Sequence, residues 1–122
     1  MPDPLLRRIL IVEDELAIAI DLKRIVAELG YEVAGMAGTL SRALQQLEDP
    51  GAVDAVLLDA NLHGESALPV AERLKELRIP FAITSGYEAE ELRHSGFPRP
   101  HVAKPYGAEA IGSALRQLEG RR

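Results

Sequence analysis

The feature that most constrains this chain is the regular alternation of two hydrophobic periods. Arg8-Ile9-Leu10-Ile11-Val12 is a short continuous apolar run rich in β-branched residues, the pattern of a strand buried on both faces. Ile18, Leu22, Ile25, Val26 and Leu29 then recur at helical spacing, and Gly30 stands where a helix-ending glycine belongs. Glu32 to Met36 reads as a second, weaker strand. Thr39 or Ser41 can cap a helix carrying Leu40, Leu44 and Leu47, which Asp49-Pro50-Gly51 ends. Ala55-Val56-Leu57-Leu58 is a third buried strand. Ser66 can cap a helix with Leu68, Ala71, Leu74 and Leu77, and Pro69 is tolerated in its first turn, where no intrahelical N–H bond is lost. Phe81 to Thr84 is a fourth strand, entered through Pro80. The charged stretch Glu88 to Ser95, anchored by Leu92, predicts a short helix that stops at Gly96. His101-Val102-Ala103 is a fifth strand, and Ala108, Ile111, Leu115 and Leu118 stripe the last helix before a frayed Gly120–Arg122 tail.

A β-α unit repeated five times implies a parallel sheet covered on both faces, with right-handed crossovers. A length of 122 residues suits one domain and leaves nothing to build a separate output domain. A hydrophobic share of 47% is enough for a real core. Cysteine is absent, which removes disulfides and thiolate metal sites. There is no secretory signal pattern, and no apolar run reaches the ~18–20 residues that span a bilayer. These features predict a cytoplasmic domain without membrane association. A net charge of −5 argues against direct nucleic-acid binding, which feeds on Lys/Arg clusters.

In open parallel sheets, ligands sit outside the carboxyl ends of the strands. Here those ends are unusually rich in chemistry. Strand one runs into Glu13-Asp14, strand three into Asp59-Ala60-Asn61, strand four into Thr84-Ser85-Gly86 and strand five into Lys104-Pro105. Three carboxylates brought together repel one another unless something neutralises them. A hard divalent cation such as Mg²⁺, bound through oxygen, does so. Lys104 adds a positive charge that can pair with Asp59 or with a phosphoryl oxygen. Ser85 offers a hydroxyl, and Gly86 lets a backbone N–H approach closely. This combination suits phosphoryl transfer to a carboxylate nucleophile. Strand alternation turns only one of Thr84 and Ser85 inward, and Ser85 is the better placed; Thr84 reads as a plain strand residue.

Taken in order and at strand ends, Glu13-Asp14, the Asp59 of Leu57-Leu58-Asp59-Ala60-Asn61-Leu62, Ser85-Gly86 and Lys104-Pro105 make the chain resemble a receiver domain of a two-component response regulator. The resemblance implies a flavodoxin-like (βα)5 three-layer sandwich with a five-stranded parallel sheet in the order 2-1-3-4-5. It implies that Asp59 accepts a phosphoryl group from a histidine kinase or a histidine phosphotransfer protein. Mg²⁺ would be held by Glu13, Asp14, Asp59 and the backbone carbonyl of Asn61. Lys104 would contact the phosphoryl group, Ser85 would swing inward to it, and Pro105 would follow a cis bond. Asn61 and Tyr87 would flank the site and tune the phosphoryl lifetime. From Asn61 to Tyr87 the chain is similar to a bacterial subgroup of stand-alone receivers that often work beside a histidine kinase and lack an output domain, and a monomer or weak homodimer is expected.

Two features depart from the family pattern. His101 stands where the family has its switch aromatic. It either answers the Ser85 movement, or is a partly buried polar residue, or makes the switch pH-sensitive. Lys104 comes only 19 positions after Ser85, and Pro98 and Pro100 shorten any helix between them. His63 and His94 have no matching partners and read as solvent-facing. The competing functional class is a degenerate receiver that binds partners without phosphorylation. A nucleotide-binding enzyme is disfavoured because neither glycine-rich phosphate loop occurs, and a flavin site because Glu13-Asp14-Glu15 would repel phosphate. An aspartate-nucleophile hydrolase would need a second Asp where Asn61 stands.

Overall fold

The computed structural model describes residues 7–85, 100–103 and 107–119. Its sheet strands are β1 (Arg8–Val12), β2 (Glu32–Ala37), β3 (Ala55–Asp59), β4 (Phe81–Ser85) and β5 (His101–Ala103). The helices are α1 (Leu16–Glu28), α2 (Leu40–Gln46), α3 (Leu68–Leu77) and α4 (Ala108–Glu119). The strands lie in the order β2-β1-β3-β4-β5, and every neighbouring pair is parallel. This is the flavodoxin-like arrangement expected from the sequence. The helix expected over Glu88 to Ser95, and the residues Gly86, Tyr87, Lys104, Pro105 and Tyr106, lie outside the described residues.

Strand alternation divides the core in two. Leu10, Val12, Val56, Leu58, Phe81 and Ile83 pack with residues of α2 and α3 on one face. Ile9, Ile11, Ala55, Leu57, Ala82 and Val102 pack with α1 and α4 on the other. Central β3 is buried along its whole length, which is why its sequence runs apolar without a break. Edge strand β2 is mostly half-buried and its pairing with β1 slips in register between Ile9 and Leu10.

Helix ends follow the sequence with two adjustments. Gly30, at φ 95°, closes α1: the Tyr31 N–H reaches the Val26 carbonyl and the Gly30 N–H the Ala27 carbonyl. Arg78 takes the same left-handed role after α3 at φ 59°. Thr39, not Ser41, caps α2, its Oγ1 accepting the Arg42 N–H at 3.1 Å. Ser66 is not the cap of α3. It is engaged in a two-residue antiparallel pairing with Asn61, so the helix starts from Ala67 while the Ser66 Oγ accepts the Leu68 N–H at 3.2 Å.

The amino-terminal end of the sheet is tied by side chains. Asp54 Oδ2 accepts the N–H groups of Arg7 and Arg8 at 3.0 and 2.8 Å. The Tyr31 hydroxyl donates to Glu119 Oε1 at 3.0 Å, joining the entry of β2 to the last turn of α4. Burial, reinforced by the Glu119 carboxylate, pushes the Tyr31 phenol up to about 12. The folded state therefore keeps this proton where the unfolded chain, with a phenol near ~10, loses it. The stabilisation is complete below pH ~10 and is lost as pH rises toward ~12. Urea denaturation from pH 8 upward is expected to show wild type above Tyr31→Phe, with the gap closing through this alkaline window.

Thr84 shares a register position with Asp59, and its buried Oγ1 makes no hydrogen bond among the described residues. A buried hydroxyl without a partner costs roughly 1–3 kcal/mol. Thr84→Val keeps the shape and removes the hydroxyl, so chemical denaturation should show a gain of about 1 kcal/mol.

Candidate functional site

The acidic site is a product of strand adjacency. β1 ends at Val12, and the Glu13 N–H continues the ladder toward β2 by donating to the Ala37 carbonyl at 3.0 Å. That bond holds Glu13 against the sheet, where it is only 3% exposed. β3 ends at Asp59, 4% exposed, and the Ala60 N–H donates to the Thr84 carbonyl at 2.9 Å. Because β1 and β3 are parallel neighbours, Glu13, Asp14 and Asp59 converge, with one oxygen of each within 4.8 Å of the others. Ser85 ends β4, the next strand, and is buried. His101 begins β5, half-buried and in register with Ile83. Of the residues singled out in the sequence, Glu13, Asp14, Asp59, Asn61, Ser85 and His101 are therefore described, while Gly86, Tyr87, Lys104 and Pro105 fall outside the described residues.

Between Asp59 and α3 the chain makes a hairpin that sequence periodicity did not show. Asn61 pairs with Ser66 and Leu62 with Glu65. His63 and Gly64, at φ 51° and 82°, form the two-residue turn. Positive φ at both turn residues is the mirror-image geometry that matches strand twist. The hairpin grips two of the three carboxylates through its backbone. The Asn61 N–H donates to Asp59 Oδ1 at 3.2 Å, and the His63 N–H donates to Asp14 Oδ2 at 2.9 Å. Asn61 Oδ1 accepts the Gly64 N–H at 2.9 Å and so braces the turn itself. Glu13 is fixed from its own strand end, its Oε2 accepting the Glu15 N–H at 3.1 Å.

His63 faces solvent, as its sequence context implies. Its ring is exposed, but the residue is bonded to Asp14, and Nδ1 lies 3.8 Å from Asp14 Oδ2. The available sequence signal was the His63-Gly64 pair itself, a weaker relative of the Asn-Gly turn.

Burial works against ionisation of Asp14. The His63 N–H, together with hydrogen bonds to the Glu13 and Asp59 side chains, outweighs it and holds the Asp14 carboxyl below its ordinary value. Carboxyl groups this close need a shared proton or a cation between them. The donor set is all carboxylate oxygen, which matches a hard divalent cation and not a soft one.

The chemistry of these strand ends has counterparts among known proteins. The family model for the response regulator receiver domain matches residues 9–116. Transcriptional regulatory protein PdtaR of Mycobacterium tuberculosis is 32% identical over 116 residues, covering 89% of this chain and 55% of its own. Phyllosphere-induced regulator PhyR of Methylorubrum extorquens is also 32% identical, covering 89% of this chain and 42% of its own. The chain thus spans about half the length of the curated relatives it matches. A solution structure of the BeF3-activated conformation of SdrG from Pseudomonas melonis superposes with a TM-score of 0.77 at 35% identity, covering 98% of this chain and 99% of that one. With the match running through both sequence and fold, the chain belongs to the response regulator receiver domain family.

Proposed function

We propose that this receiver takes a phosphoryl group onto Asp59 from a phosphohistidine of a histidine kinase or phosphotransfer protein. One observation carries the reading: three carboxylates from two adjacent strands meet within 4.8 Å, with Ser85 ending the strand beside them. In the transfer, an Asp59 carboxylate oxygen bonds to phosphorus as the donor's P–N bond breaks. The products are an acyl phosphate on Asp59 and a neutral imidazole on the donor, which takes up a proton.

Glu13, Asp14, Asp59 and the Asn61 carbonyl would hold Mg²⁺. When bound, it supplies charge neutralisation for the incoming phosphoryl group. The hairpin N–H groups hold the Asp59 and Asp14 carboxyl groups in place before the donor arrives. Ser85 would donate its hydroxyl to a phosphoryl oxygen, Lys104 would pair with another, and Gly86 would admit the backbone beside them. Tyr87 and Asn61 would flank the acyl phosphate, with Pro105 fixing the turn after Lys104. His101 stands on the neighbouring strand, where it would register the movement of Ser85. For the donor, Leu16 and Ile20 expose 69% and 53% of their surface on the first turns of α1, directly after Glu13-Asp14. Such an apolar patch beside the acidic site suits a docking protein. The protein is a signalling switch whose own dephosphorylation is slow, and not an enzyme with turnover.

Incubation with acetyl phosphate and Mg²⁺, read by intact mass, is expected to add one phosphoryl group to wild type. Asp59→Asn or omission of Mg²⁺ should abolish it. Absence of any adduct on wild type, also with a panel of histidine kinases, would establish instead a degenerate receiver that works by binding alone. Ser85→Ala removes one charge-assisted hydrogen bond and should slow phosphorylation on the order of tenfold to a hundredfold, measured by the same mass assay over time.

A further inference from the structure

Thr84 has no part in the transfer of the phosphoryl group to Asp59. It is 1% exposed, and its Oγ1 makes no hydrogen bond among the described residues. Strand alternation fixes the face on which it lies. Leu58 and Ile83 are paired and pack toward α2 and α3, whereas Leu57 and Ala82 are paired and pack toward α1 and α4. Asp59 and Thr84, the next pair, belong to the second face. Val102, in register with Thr84 on β5, packs there too. The two strands stay closed at this level, since the Ala60 N–H donates to the Thr84 carbonyl at 2.9 Å. Neighbouring strands lie ~4.8 Å apart, so a turn about χ1 puts the Thr84 hydroxyl within reach of the Asp59 carboxyl. In the structure Asp59 Oδ1 accepts the Asn61 N–H instead, at 3.2 Å.

We propose that Thr84 sets the lifetime of the phosphoryl group: its hydroxyl donates to the Asp59 oxygen that is released when the acyl phosphate is hydrolysed. This rests on the reading of Asp59 as the phosphoacceptor. In the hydrolysis, water attacks phosphorus, and the bond from phosphorus to the Asp59 oxygen breaks with its electron pair left on that oxygen. The products are the Asp59 carboxylate and inorganic phosphate carrying the two hydrogens of the water. While it bridges to phosphorus, the Asp59 oxygen is a poor acceptor; as the bond breaks it gains negative charge and becomes a strong one. A donor that bonds it then stabilises the transition state more than the starting state, which is the condition for a faster step. Burial excludes water from taking the place of Thr84 and strengthens the bond it makes. An idle buried hydroxyl destabilises the resting fold, and hydrolysis is the step at which it gains a partner.

The test uses the whole chain, phosphorylated with acetyl phosphate and Mg²⁺ and then exchanged into Mg²⁺ buffer without the donor. Intact mass follows the decay of the adduct with time. Thr84→Val keeps the shape of the side chain without the hydroxyl. Thr84→Ser and Thr84→Ala both lose the methyl group and differ from each other by the hydroxyl, so this pair decides the question independently of how Thr84→Val packs. The expected result is decay at least about fivefold slower in Thr84→Val and Thr84→Ala, the scale of one hydrogen bond to a charged oxygen, with Thr84→Ser within about twofold of wild type. Decay no slower in Thr84→Val than in wild type, or altered equally in Thr84→Ser and Thr84→Ala, would overturn the proposal and leave Asp59 standing as the phosphoacceptor. No adduct on wild type would instead overturn the reading of Asp59, and the Thr84 proposal with it.

Discussion

Mutual repulsion among Glu13, Asp14 and Asp59 is the constraint around which the carboxyl end of this molecule is built. Like charges at this separation, two of them in buried residues, do not stay together without support. The support comes from backbone amides: Glu15 toward Glu13, Asn61 toward Asp59 and His63 toward Asp14. These donors come from segments that already have a reason to be where they are, the start of α1 and a braced hairpin. The three side chains are thereby held in place by the backbone around them.

What allows such a cluster is the sheet beneath it. Each of β1, β3 and β4 is buried on both faces between two helical layers. A strand held in this way cannot slide, since a one-residue shift would exchange the two faces of its side chains. The relative heights of Val12, Asp59 and Ser85 are consequently set by the packing of Ile9 to Val12, Ala55 to Leu58 and Phe81 to Thr84, far more than by contacts within the site. Stability and function are separated along each strand, the apolar body giving one and the terminal residue the other.

The strands were legible because burial on both faces leaves no room for polar residues, and the runs at 8–12, 55–58 and 81–84 carry none after Arg8 and before Thr84. The carboxylates were legible for the complementary reason: an acid directly after such a run has to sit at a strand end. The hairpin was not. It has only two residues per strand, and its turn uses His63 in a conformation that favours glycine or asparagine, so neither period nor turn chemistry announced it. That omission also hid the link between His63 and Asp14. Ser66 misled for the same reason, because a good capping residue had already been taken into the short pairing. The choice between Thr39 and Ser41 turned on which backbone position lay outside the helix, a distinction of two residues that propensity does not resolve.

The two ends of the sheet are fastened by opposite means. At the amino-terminal end, Asp54 stitches the start of β1 to the entry of β3, and Tyr31 bolts β2 to α4. Nothing there depends on a solute. At the carboxyl end, the carboxylates are held by a few backbone amides of the hairpin and of the start of α1. The molecule is in this sense a cantilever, clamped at one end and loaded at the other. The clamp is made of side chains far along each strand from Asp59, so the fastening of the sheet and the acidic cluster share no hydrogen bond.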